Sequence, residues 1–263
     1  MLGVQPSSGA ALTIVVPTYN ERDRLGELVD AIFDVSAGAG LDLELIVVDD
    51  NSPDGTGELA DELATRHRLT VIHRAGKLGL GTAVVDGFRA ASAPVVGVMD
   101  ADFSHPPSLI PVLYQALQAT GADVVVASRY IPGGSTPAWP WSRRMMSRVA
   151  CLLARPIAGV HDAASGFFVI RRDIALGVTI RAGGFKILLE LLVRAWPTTL
   201  VEVPYQFDDR EAGESKMSKR EAAGYLLQLR DLYWLRLAGP RRPRRSRRAL
   251  SPAEAAGPWV VGP

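Results

Sequence analysis

Residues 12–50, LTIVVPTYNERDRLGELVDAIFDVSAGAGLDLELIVVDD, decide the fold of this chain. Leu12–Val16 and Leu43–Val48 are short apolar runs rich in β-branched residues, which predicts two buried strands. Between them, Glu21–Ser36 carries apolar side chains at helical spacing. An apolar strand, an amphipathic helix and a second apolar strand predict one parallel β-α-β unit.

The same alternation continues through the first half of the sequence and becomes less regular in the second half. Further strands are predicted at Leu69–His73, Val95–Met99, Asp123–Ala127 and Leu200–Phe207. Further helices are predicted at Thr56–His67, Gly81–Ala91, Pro107–Thr120, Ser142–Ile157, Phe185–Trp196 and Lys219–Ala238. We therefore expect an α/β protein, a Rossmann-like and mostly parallel sheet with helices on both faces. In such sheets, ligands bind at the carboxyl ends of the strands.

The composition is that of a folded globular protein. Of the 263 residues, 48% are hydrophobic and 22% are charged, which excludes a collagen-like, a disordered acidic or a disulfide-rich small protein. Cys151 is the only cysteine in the sequence, so no internal disulfide can form and a reducing, cytoplasmic setting is expected. No apolar run approaches the ~18–20 residues that cross a bilayer. The first residues lack the basic segment of a secretory signal.

The charge is distributed unevenly. Residues 239–263 contain six arginines and one acidic residue, a net charge of +5, so residues 1–238 carry −4 of the total of +1. We predict a flexible N-terminus over 1–11 and a disordered Arg-rich tail over 239–263. Such a tail favours a polyanion, either phospholipid headgroups or nucleic acid. The helix at 219–238 is amphipathic and suits either an interfacial position on a membrane or packing on the domain.

Acidic residues follow three of the predicted strands. The segments are Pro17–Glu21, Asp49–Thr56 and Asp100–Pro107. Each alone is compatible with a turn and a helix cap. Because carboxyl ends of parallel strands meet at one edge of a sheet, we instead expect one acidic crevice there. A basic, glycine-rich turn at residues 72–81 brings Lys77 towards the same crevice.

The Asp-x-Asp pair formed by Asp100 and Asp102 predicts a metal site. Two carboxylates separated by one residue can bind a hard cation such as Mg²⁺, which takes its remaining ligands from water and a diphosphate. Ser104 can add a hydroxyl ligand. A cation on a diphosphate is the chemistry of a metal-bound sugar nucleotide.

The motifs in this order resemble those of family 2 glycosyltransferases of the GT-A fold, and more narrowly of the dolichol-phosphate (polyprenol-phosphate) mannosyltransferases. The resemblance covers about residues 12–235, and its last three motifs are the most specific for the lipid-phosphate subgroup. The motifs are Pro17–Glu21, Val48–Thr56, Lys77–Thr82, Asp100–Pro106, Ser128–Tyr130, Ser165–Phe168, Gly184–Glu190 and Phe207–Lys216. The resemblance implies a GT-A domain over 12–218.

The resemblance also implies roles for individual residues. The donor would be GDP-mannose, the acceptor a polyprenyl or dolichyl phosphate, and the cofactor Mg²⁺ or Mn²⁺. Donor-binding residues would be Pro17, Tyr19, Glu21, Val48, Asp50, Lys77, Asp100, Ala101, Arg129, Arg210 and Lys216. The metal would be held by Asp100, Asp102 and Ser104, and the acceptor phosphate by Arg129 and Arg143. The catalytic residues would be Asp102, Arg129 and Arg210.

The chemistry of the acceptor agrees with those roles. A phosphate monoester is largely dianionic near neutral pH, with a second pKa of ~6, so its oxygen requires positioning and no strong base. Arginine is the better clamp because its planar fork matches phosphate oxygens. Attack in line with the leaving group would invert the sugar and give a β-linked lipid product.

The resemblance further implies a place in the cell and several partners. Some relatives carry transmembrane helices after the catalytic domain and others use a small membrane-protein partner. We therefore expect a cytoplasmic protein that associates peripherally with the cytoplasmic face of a membrane. One alternative keeps the fold and acceptor but uses UDP-glucose or another sugar nucleotide. A remote alternative is a nucleotide- or nucleic-acid-binding protein, and the acidic crevice argues against a nucleic-acid partner.

Overall fold

A computed structural model describes residues 9–180, 186–207, 219–240 and 242–257, with residues 219–222 described by their backbone alone. They form one sheet of eight strands. The strands are β1 (Leu12–Thr18), β2 (Leu43–Asp49), β3 (Leu69–His73), β4 (Val95–Val98), β5 (Val124–Ser128), β6 (Phe168–Arg171), β7 (Thr199–Pro204) and β8 (Ser246–Ala249). Their order is β3-β2-β1-β4-β6-β5-β7-β8. Neighbouring strands are parallel, except that β6 is antiparallel to β4 and β5.

Helices cover both faces of the sheet, as predicted. They are α1 (Arg22–Gly38), α2 (Thr56–Ala64), α3 (Leu80–Ala90), α4 (Leu109–Thr120), α5 (Trp141–Ala158), α6 (Arg172–Leu176), α7 (Ile187–Arg194), α8 (Lys219–Ala238) and α9 (Pro252–Ala256). Residues of α1, α2, α4 and α9 pack in the core on one face. Residues of α3 and of α5 to α8 pack in the core on the other face. The α/β class and its mostly parallel sheet are confirmed.

Sheet order and register bring three of the predicted strand ends together. Strand β1 lies between β2 and β4, and Pro17 is in register with Val48. Beyond the strands, the Asp50 N–H donates to the Thr18 carbonyl at 3.0 Å and the Met99 N–H donates to the Val15 carbonyl at 3.2 Å. The segments after β1, β2 and β4 therefore leave the sheet side by side, which is what a shared site requires.

Strand β6 was not predicted from the sequence, and it is the one antiparallel member of the sheet. It has four residues and lies centrally, with Val169 in register with Gly97 on β4 and with Val125 on β5. Four residues are too few to show a period, and the motif Ser165–Phe168 that leads into the strand indicates a loop in sequence. Residues 168–171 form a strand because both edges pair with strands that are distant in the sequence, β4 on one side and β5 on the other.

The prediction of a disordered tail over 239–263 is wrong for residues 242–257. Strand β8 pairs in parallel with β7, Leu250 is buried, and α9 begins with a capping box between Ser251 and Glu254. The composition contains few apolar residues, but backbone hydrogen bonds to β7 do not depend on side-chain type. At the other end, Ala10 is buried and the Ala11 N–H donates to Asp42, so the predicted flexible N-terminus is wrong at these two residues.

Arg245 anchors this C-terminal segment to the domain. Its Nη1 donates to the carbonyls of Ile157 at 3.0 Å and Ala158 at 2.6 Å, and its Nη2 donates to Leu192. These carbonyls end α5 and lie in the last turn of α7, where helix dipoles favour a cation. The guanidinium also lies 3.6 Å from the centre of the Trp196 ring. Burial and the neighbouring arginines lower the pKa of Arg245 to about 9, and the group stays charged at neutral pH.

We expect Arg245→Ala to release the C-terminal segment. The charge-assisted bonds to three carbonyls would be lost, and the free energy of unfolding should fall by about 2 kcal/mol. Limited proteolysis with trypsin should then cut within residues 239–250 far faster than in the parent protein. Arg244→Ala is the matched control because Arg244 is exposed and next in sequence. Equal cleavage rates in the two variants would contradict an anchoring role for Arg245.

Helix α8 is less simply amphipathic than the sequence predicted. Tyr225, Leu229 and Leu232 are buried against the domain, whereas Leu226 and Leu237 are exposed. Helix α8 thus packs on the domain with one face and presents apolar side chains on another. Within the described ranges, no helix is both long and apolar enough to cross a membrane.

Candidate active site

Two carboxylates lie directly after β4, where the metal site was predicted. Asp102 is 8% exposed, and its Oδ1 accepts from the Ser104 N–H at 3.0 Å and from Ser104 Oγ at 2.5 Å. Asp100 is half-buried, with 39% of its side chain exposed. Arg24 on α1 donates to the Asp102 carbonyl at 3.4 Å, which fixes the loop from the other side. The structure therefore brings together Asp100, Asp102 and Ser104.

His105 positions Asp100. The Asp100 N–H donates to His105 Nδ1 at 3.0 Å, so the ring proton of the neutral imidazole is on Nε2, which lies 3.8 Å from the Asp100 carboxylate. The ring stacks on Phe167 with centroids 5.0 Å apart. Burial lowers the pKa of His105, although the nearby Asp100 and Asp102 carboxylates oppose that shift. A neutral, fixed ring orients the carboxylate beside it.

The residues after β4 fit a divalent cation. A Cβ atom on Gly166 would lie 3.3 Å from Asp100 Oδ2 and 3.1 Å from His105 Cε1, so the glycine keeps space open beside the carboxylate. Carboxylate and hydroxyl oxygens are the ligands that Mg²⁺ and Mn²⁺ accept. Across the ranges described, no group of three His, Cys, Asp or Glu residues is placed to hold a metal. Two carboxylates and one hydroxyl would leave coordination positions that water and a diphosphate can fill.

On the donor side, Asp50 is buried in an ion pair that the sequence analysis did not anticipate. Asp50 Oδ1 accepts from Arg74, and Oδ2 accepts from the Gly79 N–H at 3.0 Å. Arg74 is 8% exposed and also bonds to Thr82. The pair ties the end of β2 to the glycine-rich turn after β3. The signal in the sequence was a basic residue beside that turn, but nothing there specified its partner.

The other predicted donor residues lie around the same edge of the sheet. Tyr19 is exposed, and Lys77 Nζ lies 3.7 Å from the centre of its ring. The Glu21 N–H donates to Thr56 Oγ1 at 3.0 Å. Three further predicted donor-binding residues lie here as well: Pro17 and Val48 near the ends of β1 and β2, and Ala101 shortly after β4. The Val48 side chain is fully buried in the core, so only its backbone can face a ligand.

Arg129 directly follows β5, and its side chain is held by the buried carboxylate of Asp162, which in turn contacts Glu202. Its Nε and Nη2 each donate to Asp162 at 2.7 Å, and its backbone N–H donates to Asp162 at 3.0 Å. Asp162 is fully buried, and its own N–H donates to Glu202 on β7 at 3.2 Å. Burial would lower the pKa of Arg129, but the Asp162 carboxylate outweighs burial and raises it. The guanidinium is therefore a permanent, oriented cation.

Arg143 contacts Trp139, as Arg129 does. Its guanidinium carbon is 4.1 Å from the centre of the Trp139 ring, and that of Arg129 is 5.3 Å away. Both guanidinium groups thus lie close to one indole. That they bind the acceptor phosphate stays a prediction. Arg144 instead donates to the carbonyls of Thr136, Pro137 and Trp139, so it holds the loop before α5.

A short row of rings joins the carboxylates to the arginines. The His105 ring beside Asp100 lies 5.8 Å from the Phe207 ring. The Phe207 ring lies 5.2 Å from that of Trp139, on which both arginines rest. The carboxylates after β4 and the two arginines are therefore neighbours in the fold, connected by two ring contacts.

Lys186 is a residue to which the sequence analysis gave no role. Burial lowers the pKa of its ammonium group, and the Arg129 charge adds to this, while Asp100 and Asp162 oppose it. The Lys186 ammonium group therefore interacts electrostatically with both Arg129 and Asp100. Lys186 belongs to the motif Gly184–Glu190. Arg210 and Lys216, which were predicted to bind phosphate, lie outside the described residues.

Comparison with known proteins gives a consistent family. Residues 13–187 match the family described as Glycosyl transferase family 2. The chain is 42% identical over 219 residues to a dolichol-phosphate mannosyltransferase of Pyrococcus furiosus, covering 82% of this chain and 61% of that protein. It is 40% identical over 217 residues to a polyprenol monophosphomannose synthase of Mycolicibacterium smegmatis, covering 78% of this chain and 80% of that protein.

Solved structures share the fold at low sequence identity. A mannosyltransferase from Pyrobaculum calidifontis in complex with GDP-Man and Mn²⁺ matches with a TM-score of 0.61 and 18% identity, covering 92% of this chain and 68% of that one. Glucosyl-3-phosphoglycerate synthase from Mycobacterium tuberculosis, with Mn²⁺ and UDP, matches with a TM-score of 0.62 and 21% identity, covering 89% and 82%. The predicted glycosyltransferase fold is thereby confirmed, and this chain belongs to glycosyl transferase family 2.

Proposed function

We propose that this protein transfers mannose from GDP-mannose to a polyprenyl or dolichyl phosphate and inverts the anomeric centre. The observation that carries the proposal is that Asp100 and Asp102 are connected to Arg129 and Arg143 through contacts between the rings of His105, Phe207 and Trp139. The carboxylates suit a metal-bound diphosphate, and the arginines suit a second phosphate. The relatives named as mannosyltransferases to dolichol phosphate support the same donor and acceptor.

Different residues of the site have different roles in the proposed reaction. A divalent cation on Asp100, Asp102 and Ser104 would supply Lewis-acid charge to the leaving diphosphate. Arg129 and Arg143 hold the acceptor phosphate, whose oxygen needs no general base because the group is already ionised near neutral pH, with a second pKa of ~6. Little free energy is needed to orient the Arg129 guanidinium for the phosphate, because Asp162 already fixes its orientation. His105 and Gly166 keep the Asp100 carboxylate in place and accessible.

We also propose that the protein associates peripherally with the cytoplasmic face of a membrane. The hydroxyls of Tyr225 and Tyr233 on α8 donate to Ala150 and Leu153 on α5, so the two helices lie side by side. Both present large apolar side chains to solvent, and a contiguous patch of this kind is typical of a membrane or protein interface. These are Trp141, Met145, Met146, Val149, Leu152 and Leu153 on α5, and Leu226, Leu227, Trp234, Leu235 and Leu237 on α8.

The enzymatic proposal is tested by a transfer assay in detergent. The full chain would be incubated with a polyprenyl phosphate and Mg²⁺ or Mn²⁺, with GDP-mannose and UDP-glucose offered separately. We expect a mannolipid from GDP-mannose and its loss when EDTA removes the metal. Product from UDP-glucose alone would contradict GDP-mannose as the donor. Transfer that persists in EDTA would contradict the requirement for a divalent metal.

The membrane proposal is tested by flotation with vesicles. The parent protein should float with phospholipid vesicles, and a Leu152→Ser/Leu237→Ser variant should float less because each substitution removes an exposed leucine from the patch. Leu78→Ser, at another exposed leucine, is the matched control. If the parent protein does not float, the proposed direct contact with lipid is wrong.

A further inference from the structure

Glu202 is a buried carboxylate in the middle of a core strand. It lies on β7 between Val201 and Val203 and is 5% exposed. Because side chains alternate along a strand, Glu202 lies on the same face as Leu200, which packs in the core with residues of α5 and α7. No role was predicted for Glu202 from the sequence. A charged group in such a place is unfavourable unless it forms strong hydrogen bonds.

The Glu202 carboxylate binds two consecutive residues of the segment after α5. Its Oε2 accepts from the His161 N–H at 2.9 Å and from His161 Nδ1 at 2.7 Å, and its Oε1 accepts from the Asp162 N–H at 3.2 Å. Arg155 donates to His161 Nε2 at 2.8 Å, so the ring carries its proton on Nδ1, facing Glu202. Within the described ranges, Glu202 forms no ion pair with an arginine or a lysine. Its hydrogen bonds therefore fix the backbone of residues 161 and 162.

The second of these two residues is the one that orients Arg129. The Asp162 carboxylate accepts from Arg129 Nε and Nη2 at 2.7 Å each, and the Asp162 N–H is the group that Glu202 binds. Strands β5 and β7 are parallel, with Val126 in register with Glu202, and Arg129 directly follows β5. Glu202 is therefore connected to Arg129 through Asp162, and a displacement of residue 162 would turn the guanidinium.

From these contacts we propose that Glu202 is a positioning residue for the acceptor phosphate, because it holds residues 161 and 162 so that Asp162 presents the Arg129 guanidinium in one orientation. The inference rests on the proposed function, which assigns Arg129 to the acceptor phosphate. Glu202 acts only through Asp162, so it is not a catalytic residue. A cation that is oriented before the phosphate arrives loses less free energy when the phosphate binds.

The first test separates the acceptor from the donor in steady-state kinetics. Glu202→Gln keeps the shape of the side chain, but its amide nitrogen cannot accept from an N–H, so at least one of the two backbone bonds is lost. We expect the KM for polyprenyl phosphate to rise by about tenfold, while the KM for GDP-mannose stays within about twofold. A variant that merely folds less completely would have a lower maximal rate and unchanged KM values.

Glu44→Gln is the matched control. Glu44 is also a strand glutamate, and its Oε2 accepts from the Ser92 N–H at 3.0 Å and from Thr13 Oγ1 at 2.6 Å. It lies near the start of β2, whereas the site lies beyond the carboxyl ends of the strands. Both KM values should stay within about twofold of the parent. An equal rise of the acceptor KM in the two variants, or a rise of both KM values in Glu202→Gln, would overturn the positioning role.

A second readout does not depend on transfer activity. Cys151 is the only cysteine in the sequence, and its thiol donates to Asp162 Oδ1 at 3.6 Å. Burial raises the pKa of this thiol to about 12, and the Asp162 carboxylate adds to the effect. If Glu202→Gln lets Asp162 move away, the thiolate becomes more populated, and reaction with a neutral aromatic disulfide at mildly alkaline pH should be about tenfold faster. Glu44→Gln should react at the parent rate.

A double variant tests whether Glu202 acts through Arg129. Arg129→Lys keeps the charge beside Asp162 but loses the forked donors. Adding Glu202→Gln to Arg129→Lys should change the acceptor KM by less than about twofold, because the two substitutions remove the same interaction. A full further increase would show that Glu202 affects the acceptor by another route, and the proposal would be wrong.

The outcomes keep the positioning role and the proposed function apart. If the parent protein makes mannolipid and Glu202→Gln changes neither the acceptor KM nor the reactivity of Cys151, the positioning role alone is wrong. If the parent protein makes no mannolipid while Glu202→Gln still accelerates the thiol reaction, the proposed function alone is wrong. Should Glu202→Gln fail to fold, Glu202→Asp keeps the charge but is too short to reach both N–H groups, and a parent-like acceptor KM in that variant would overturn the positioning role.

Discussion

Replacing Asp102 with asparagine is expected to lower mannose transfer by about 10³-fold or more while the fold is retained. The Asp102 side chain is buried at the end of β4, and its Oδ1 accepts two hydrogen bonds from Ser104. An asparagine Oδ1 can accept the same two bonds, so the loop keeps its geometry. What is lost is a negative charge, and a hard cation binds an amide far more weakly than a carboxylate.

Two measurements check this expectation. Initial rates of transfer give the loss of activity, and calorimetry with Mn²⁺ in the presence of GDP gives the loss of metal affinity. Asp34→Asn is the control, because Asp34 is an exposed carboxylate on α1. Thermal unfolding should be nearly the same for both variants. Near-normal turnover in Asp102→Asn, or unchanged affinity for Mn²⁺, would show that the metal is held elsewhere.

Replacing Asp162 with asparagine is expected to destabilise the protein by about 3–5 kcal/mol, because it leaves the Arg129 guanidinium buried without a counter-charge. Asp162 is fully buried and accepts three hydrogen bonds from Arg129. The same substitution should also weaken saturation by the acceptor, since Arg129 would lose its fixed orientation. Urea unfolding gives the stability, and transfer rates at varied acceptor concentration give the second effect.

Asp173→Asn provides the matched control, since Asp173 is an exposed carboxylate on α6. It should change the free energy of unfolding by less than about 0.5 kcal/mol. If Asp162→Asn unfolds at the same urea concentration as this control, the pair with Arg129 contributes nothing to stability.

The pair also predicts how stability depends on pH. Burial alone would raise the pKa of Asp162, but Arg129 outweighs burial and holds that pKa below its usual value. The stabilisation is therefore fully present above the unfolded carboxyl pKa of about 4 and is lost as the pH falls through the lower folded value. The difference between the parent protein and Asp162→Asn should be largest near neutral pH and shrink in acid.

The strand ends that carry the carboxylates could be located from the sequence because they depend on the pattern of apolar and polar residues over a short stretch. An apolar run followed at once by polar residues marks the end of a buried strand, and parallel strands place those ends on one edge. The carboxylates after β1, β2 and β4 were found in this way. The contacts of Arg129 could not be predicted in this way, because Asp162 follows Arg129 by 33 residues and Glu202, which binds Asp162, lies on another strand.

The sequence was enough to predict the α/β class, the strands of the first half, the family and the carboxylates that follow β4. These depend on periodicity and on motifs that are contiguous in the chain. Only the tertiary structure decided the partner of Asp50, the antiparallel β6 and the order of residues 242–257. The C-terminal segment has few apolar residues, so composition predicts disorder. It is ordered because β7 offers an unpaired edge and because the carbonyls at helix ends accept hydrogen bonds from Arg245. Both conditions exist only once the chain has folded.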